Sequence, residues 1–131
     1  MARPRHENPT PAELEVLQVL WERGPRTVRE VMNMLNQERP RAYTSVMSLM
    51  NVMVEKGLLT QKLRGRAFVY SAKVSQAGTQ SQMVRDLLRR VFDGSASALV
   101  THLLEQARPD SEELDEIRKT ISEFARKKGG T

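Results

Sequence analysis

Residues 39–71, RPRAYTSVMSLMNVMVEKGLLTQKLRGRAFVYS, decide the fold. In the first half Val46, Leu49, Met50, Met53 and Val54 recur at offsets 0, 3, 4, 7 and 8, which is one apolar stripe on an α-helix. Thr44, Ser45, Ser48 and Asn51 occupy the opposite face, and their short side chains both donate and accept hydrogen bonds. Gly57 is placed to end this helix in the left-handed conformation that a residue without a Cβ adopts freely. From there the period shortens to about 2. Leu58–Leu63 and Ala67–Tyr70 flank Arg64-Gly65-Arg66, which predicts a β-hairpin with a short basic tip.

Between Arg39 and Lys73 seven basic residues stand against one acid, Glu55, a net +6. A charge run is commonly no more than a solvated face. Here the cations bracket a helix with a small polar face and tip a hairpin, which suits a grooved polyanion, and duplex DNA is the obvious one. On that reading Thr44, Ser45, Met47, Ser48 and Asn51 face the bases, while Arg39, Arg41, Tyr43, Lys56, Arg64 and Arg66 contact phosphates. Met47 falls on the polar face, where it meets a thymine methyl or stands exposed; the other methionines sit on apolar stripes as core filler. The alternative is an adaptor with the same fold whose basic face meets an acidic protein and reads no DNA sequence.

Working outward toward the N-terminus, Thr10-Pro11-Ala12-Glu13 combines an N-cap, a proline at the first helical position and a glutamate three residues after the cap. The helix it starts carries Leu14, Leu17 and Trp21 on one side, widened by Val16 and Leu20, and stops at Gly24-Pro25, with Trp21 as a core anchor. A second capping box, Thr27 to Glu30, opens a helix with Val28, Val31, Met32 and Leu35 on its stripe that ends near Asn36. Residues 1–9 read as a flexible basic arm. Helix, helix, helix, hairpin is the order of a winged helix-turn-helix domain over residues 1–74.

Residues 75–131 read as a helical domain. Ser75 caps a helix from about Gln76 to Phe92 with Val84, Leu87, Leu88 and Val91 on one stripe, and Asp93-Gly94 closes it. Ser95 starts a second, with Leu99, Val100, Leu103 and Leu104 facing one way, broken at Arg108-Pro109. Asp110 and Glu113 are spaced as a capping box for a third, along which Leu114, Ile117, Ile121 and Phe124 form a narrow seam. This half carries nine basic and nine acidic residues, whereas residues 1–74 carry twelve against seven. Polyanion binding therefore belongs to the first half. Three short helices cannot bury so many apolar side chains within one chain, which predicts a homodimer paired through Leu87, Leu88, Val91, Leu99, Leu103, Leu114, Ile117, Ile121 and Phe124.

The 131 residues suffice for one domain or a small domain with an appendage. The absence of cysteine excludes disulfides, thiolate metal sites and a cysteine nucleophile. No apolar run approaches the ~20 residues that span a bilayer, and the N-terminus lacks the apolar core of a signal peptide, so the expectation is a cytoplasmic protein with no membrane binding. His6 and His102 are isolated from each other. Glu112, Glu113, Asp115 and Glu116 fall on the first turn of a helix, where carboxylates stabilise its dipole. Gly65 stands alone in a turn and Gly129-Gly130 in a tail, so no phosphate-cradling loop is expected. Neither catalysis nor a cofactor nor a metal is expected.

Through PAELEVLQVLW, TVREV, AYTSVMSLMNVMVEKGLL and RGRAFVYS, and then VFDGSASALVTHLLE and PDSEELDEIRKTISE, the chain resembles the penicillinase repressor family of bacterial transcriptional regulators over nearly its whole length. The resemblance implies an N-terminal winged helix, a C-terminal three-helix dimerisation domain and repression at a palindromic promoter operator. It also implies a membrane sensor's protease pathway that cuts the helix corresponding to Ala98–Leu104, where the matching pair is His102-Leu103. The chain departs from the family at three points: Val52 stands where an arginine is common, His-Leu replaces the Asn-Phe bond often cut, and the cysteine motif of copper-responsive members is missing.

Overall fold

The structure, a computed structural model, describes residues 8–129. Its elements are α1 (Pro11–Arg23), α2 (Val28–Leu35), α3 (Tyr43–Glu55), β1 (Leu59–Arg64), β2 (Ala67–Ala72), α4 (Gln76–Arg90), α5 (Ala96–Ala107) and α6 (Ser111–Gly129). Both capping boxes close: the Glu13 and Glu30 N–H groups donate to the Thr10 and Thr27 hydroxyls at 3.2 Å, and each glutamate accepts from its cap N–H at 2.9 Å.

The residues up to Arg85 form one compact unit and those from Asp86 onward a second. The division falls inside α4, beyond the expected boundary at residues 74 and 75. The reason is that the start of α4 packs with the first unit: Thr79 is buried, and Gln82 Nε2 donates to Asn8 Oδ1 at 3.1 Å. Pro9 is buried too, so the arm expected over residues 1–9 does not include residues 8 and 9, and its residues 1–7 lie outside the described residues.

The core of the first unit gathers Val16, Leu17 and Leu20 from α1, Val28, Val31 and Leu35 from α2, Val46, Met50 and Met53 from α3, and Leu59 and Tyr70 from the hairpin. Each such burial stabilises by about 1.5–3 kcal/mol. That gain sets the rotation of α3, and the polar side chains opposite are left facing out. On α1 the buried line is Glu13, Val16, Leu17 and Leu20; Leu14 and Trp21, expected on the core side, are only half-buried. Trp21 sits at the rim, where Nε1 donates to the Val74 carbonyl at 2.9 Å and ties α1 to the chain leaving the hairpin.

Strands β1 and β2 pair antiparallel from Leu59↔Ala72 to Arg64↔Ala67, and Gly65 takes φ +65° in the turn between them. A further bridge joins Arg26 to Tyr70, whose N–H and carbonyl groups exchange bonds of 3.1 and 2.8 Å. The segment between α1 and α2 thus adds a third, one-residue strand to the wing.

In the second unit α4 stops at Arg90, two residues before the expected Phe92, and residues 91–94 turn with Asp93 and Gly94 both at positive φ. The Gly94 N–H reaches the Leu88 carbonyl at 2.8 Å. Ser95 caps α5, and the Asp110 carboxylate accepts from the Glu113 N–H at the start of α6. No residue of α5 or α6 is buried. Leu87, Val91, Leu103, Ile121 and Phe124 are exposed, and Leu88, Leu99, Leu114 and Ile117 are half-buried. Among the described residues no helix is long and apolar enough to cross a membrane.

Candidate nucleic-acid interface

Helix α3 presents Thr44, Ser45, Ser48 and Asn51 to solvent. Val52, one turn beyond Ser48, is 45% exposed on the same side. No lysine or arginine lies between Tyr43 and Glu55, so the outward row is neutral and rich in hydrogen-bonding groups. Met47 does not belong to that row as expected. It is half-buried and packs on the core, because the helix turns its side chain toward the wing.

Between the first turns of α2 and α3 and the wing lies a groove of about 420 Å³ whose walls include Thr27, Arg29, Tyr43, Met47, Arg66 and Phe68. The Arg29 guanidinium rests over the Tyr43 ring, 4.8 Å from its centre. An exposed cation–π contact is worth only about 0.5–1 kcal/mol. Its larger effect is to hold a cation at the mouth of the groove with its N–H donors unpartnered among the described residues. Arg66 stands on the opposite wall. Leu63 and Phe68 are cross-strand partners and both are exposed, which gives the wing an apolar flank beside its arginines. Lys62, Arg64 and Arg66 form no ion pair among the described residues.

Two cations expected at phosphates are engaged inside the fold instead. Arg41 donates through Nη2 to both Glu15 oxygens at 3.0 and 3.1 Å, through Nη1 to the Leu35 carbonyl at 2.8 Å, and through its own N–H to Asn36 Oδ1 at 2.8 Å. It thereby clamps α1 and the end of α2 to the entrance of α3, where Ala42 supplies no side-chain cap. Lys56 Nζ donates to Glu13 Oε2 at 2.7 Å, with the Glu13 side chain 3% and the Lys56 side chain 21% exposed. Burial opposes ionisation of Glu13. The Lys56 hydrogen bond and charge, with the Thr10 N–H and hydroxyl, outweigh it and hold the carboxyl below its ordinary range. Arg39 is looser, 3.7 Å from Glu15 and mostly exposed, and Tyr43 is exposed beneath Arg29.

The site also contains residues that the sequence reading passed over. Arg29 looked like a solvated position inside a capping box, and only an aromatic at 43 hinted at its partner. Phe68 continues the inward face of β2 past the last core residue and so emerges in the groove. Tyr70, buried on that face, donates its hydroxyl to Asn51 Oδ1 at 3.1 Å. Burial, and after it the neighbouring Tyr43, raises the Tyr70 pKa, so the hydroxyl stays protonated at neutral pH. Among the described residues no group of three His, Asp or Glu side chains is arranged to hold a metal ion.

Three helices, the third with a neutral polar outer face, followed by a hairpin with a basic tip, define a winged helix-turn-helix protein of the kind that docks on DNA. The chain belongs to the penicillinase repressor family, whose model matches residues 9–123. It is 25% identical over 117 residues to the penicillinase repressor of Bacillus licheniformis, a match covering 89% of this chain and 91% of the relative. A crystal structure of a transcriptional regulator from Thermotoga maritima is similar over 88% of this chain and 73% of its own, with a TM-score of 0.48 and 20% identity.

Proposed function

We propose that this protein is a transcriptional repressor that binds a palindromic promoter operator as a homodimer, with α3 of each protomer in a major groove and the wing on the adjacent backbone. The observation that carries the reading is the outward row of α3, neutral and hydrogen-bonding, set between the cations Arg29, Arg64 and Arg66. Thr44, Ser45, Ser48 and Asn51 read base edges, Val52 meets a methyl group, and the arginines hold phosphates. Membership of the repressor family supports DNA binding as the activity. A chromosomal partner makes the protein cytoplasmic.

Pairing is supported by the uncovered faces of the second unit. Phe124 is 70% and Leu103 is 53% exposed, and α5 and α6 bury no residue. At about 1.5–3 kcal/mol for each side chain covered, a few of them hold a dimer, and two linked winged helices bind two half-sites with a raised effective concentration. Cleavage at His102-Leu103, both exposed on α5, would part Ile117, Ile121 and Phe124 from the rest and release DNA without altering a DNA-contacting side chain. A protease pathway under a membrane sensor is the partner this implies.

The test is selection from a random duplex pool with the full chain, followed by footprinting. Enriched sequences should carry two-fold symmetric half-sites roughly one or more turns of 10 base pairs apart. An enriched single asymmetric site, or no enrichment, would refute the dimeric repressor.

A further inference from the structure

Tyr70 is fixed on two sides. Its backbone exchanges both hydrogen bonds with Arg26, and its ring lies in the core, 3% exposed. The hydroxyl is therefore delivered to one place under α3, where it donates to Asn51 Oδ1 at 3.1 Å. Among the described residues no buried side-chain polar atom is left without a partner, and for Tyr70 that partner is Asn51.

The direction of this bond follows from cost. If the hydroxyl accepted from the Asn51 amide nitrogen, its own hydrogen would be left buried and unmet, whereas as a donor it leaves only a lone pair unused. With Oδ1 turned in toward Tyr70, the planar carboxamide carries Nδ2 on the other side. That nitrogen has two N–H donors and no hydrogen-bond partner among the described residues. Asparagine recognises adenine by offering an acceptor and a donor together to N6 and N7. Here the acceptor is taken up, and the edge left to a partner is a donor.

We infer that Tyr70 is a positioning residue that turns Asn51 into a donor-only reader, so that each half-site holds at the Asn51 position a guanine, whose O6 and N7 are adjacent major-groove acceptors, and not an adenine. This rests on the reading of α3 as the major-groove helix. The raised Tyr70 pKa keeps the hydroxyl a donor throughout the neutral range.

The experiment is duplex selection with full-length wild type, Tyr70→Phe, Asn51→Ala and Asn51→Asp, comparing base preferences position by position. Wild type should prefer guanine at one position per half-site by roughly tenfold or more, and Asn51→Ala should erase that preference alone. Tyr70→Phe keeps the buried ring and frees the amide; the guanine preference should fall severalfold, adenine should gain, and adding Asn51→Ala should change nothing further at that position. In Asn51→Asp, one oxygen still accepts from Tyr70 and the other faces out, which should move the preference to cytosine, whose exposed group is an amino donor. A merely structural Tyr70 would weaken all sequences equally and leave the base preferences as they were. That result, an adenine preference at the Asn51-dependent position, or no position responding to Asn51→Ala would overturn the inference while leaving the repressor intact. A wild type that selects no sequence would overturn both.

Discussion

Replacing Lys56 by alanine separates the fold from the DNA surface. Its ammonium lies 2.7 Å from the Glu13 carboxylate, which is 3% exposed. Removing one partner of a buried pair costs about 3–5 kcal/mol, because the remaining charge is left uncompensated. Lys56 is one-fifth exposed, so water can reach the carboxylate, and the Thr10 N–H still donates to it; the cost belongs at the lower end, about 3 kcal/mol. For a cooperative unit of this size that is a fall in Tm of about 12–24 °C. Unfolding is followed by the fluorescence of Trp21, the single tryptophan, at the rim of α1. Adding Glu13→Gln removes the stranded charge but leaves an oxygen to accept from Thr10, and should recover more than half of the loss. DNA binding, measured where the variant is folded, should keep its salt dependence, since Lys56 is neutralised within the protein. A stability loss below about 1 kcal/mol, as for a surface pair, together with a salt slope reduced by about 0.9, would refute this reasoning and put Lys56 on a phosphate.

The same pair makes stability depend on pH. The folded Glu13 carboxyl titrates below its ordinary value of 4.5, so the unfolded chain binds more protons in the acid range; the contribution is complete above that value and is lost as pH falls through the folded one. Urea midpoints between pH 7 and pH 3 should fall less steeply for Glu13→Gln than for wild type, and parallel curves would exclude the pair as a cause. Arg29→Ala, Arg64→Ala and Arg66→Ala should each weaken selected and random DNA alike and lower the salt slope by about 0.9; a change confined to selected sequences would make that arginine a base reader. Leu103→Asp should give a monomer by sedimentation with an unaltered melting of the first unit and weaker operator binding, and a persisting dimer would move the interface elsewhere.

The element order is legible because its signals are local. Two capping boxes, the change of period after Gly57 and the Asp93-Gly94 stop each lie within a few residues of what they specify. What escapes is whatever depends on a distant partner. The phase of α1 is one example: Leu14 and Trp21 satisfy the helical period as well as Val16 and Leu20 do, and the choice falls to the orientation that lets Glu13 meet Lys56, 43 positions away. The Arg26 bridge to Tyr70 is a strand of one residue and has no period at all. The domain boundary shifted for a related reason, since Thr79 and Gln82, which bind α4 to the first unit, are polar and leave no mark on an apolar stripe.

Charge was the least legible property, because a count along the chain ignores acids that fold onto it. The run from Arg39 to Lys73 sums to +6, yet Arg41 and Lys56 are met by Glu15 and Glu13 of α1. The cations left for phosphates are Arg29 at the groove and Arg64 and Arg66 on the wing, with Arg39 loosely shared with Glu15. A dimer then makes six to eight phosphate contacts. At about 0.9 for each phosphate neutralised, log K should fall with log salt at a slope of about −5 to −7. Adding Arg41 and Lys56 from both protomers would bring the contacts to twelve and the slope to about −11. Titrations of the selected duplex between 50 and 200 mM salt distinguish the two, and a slope steeper than about −9 would mean that the α1 ion pairs open on DNA. With no cation on α3 itself, phosphate affinity and base preference rest on different elements, so variants of the wing should move the slope and variants of α3 the preferred sequence.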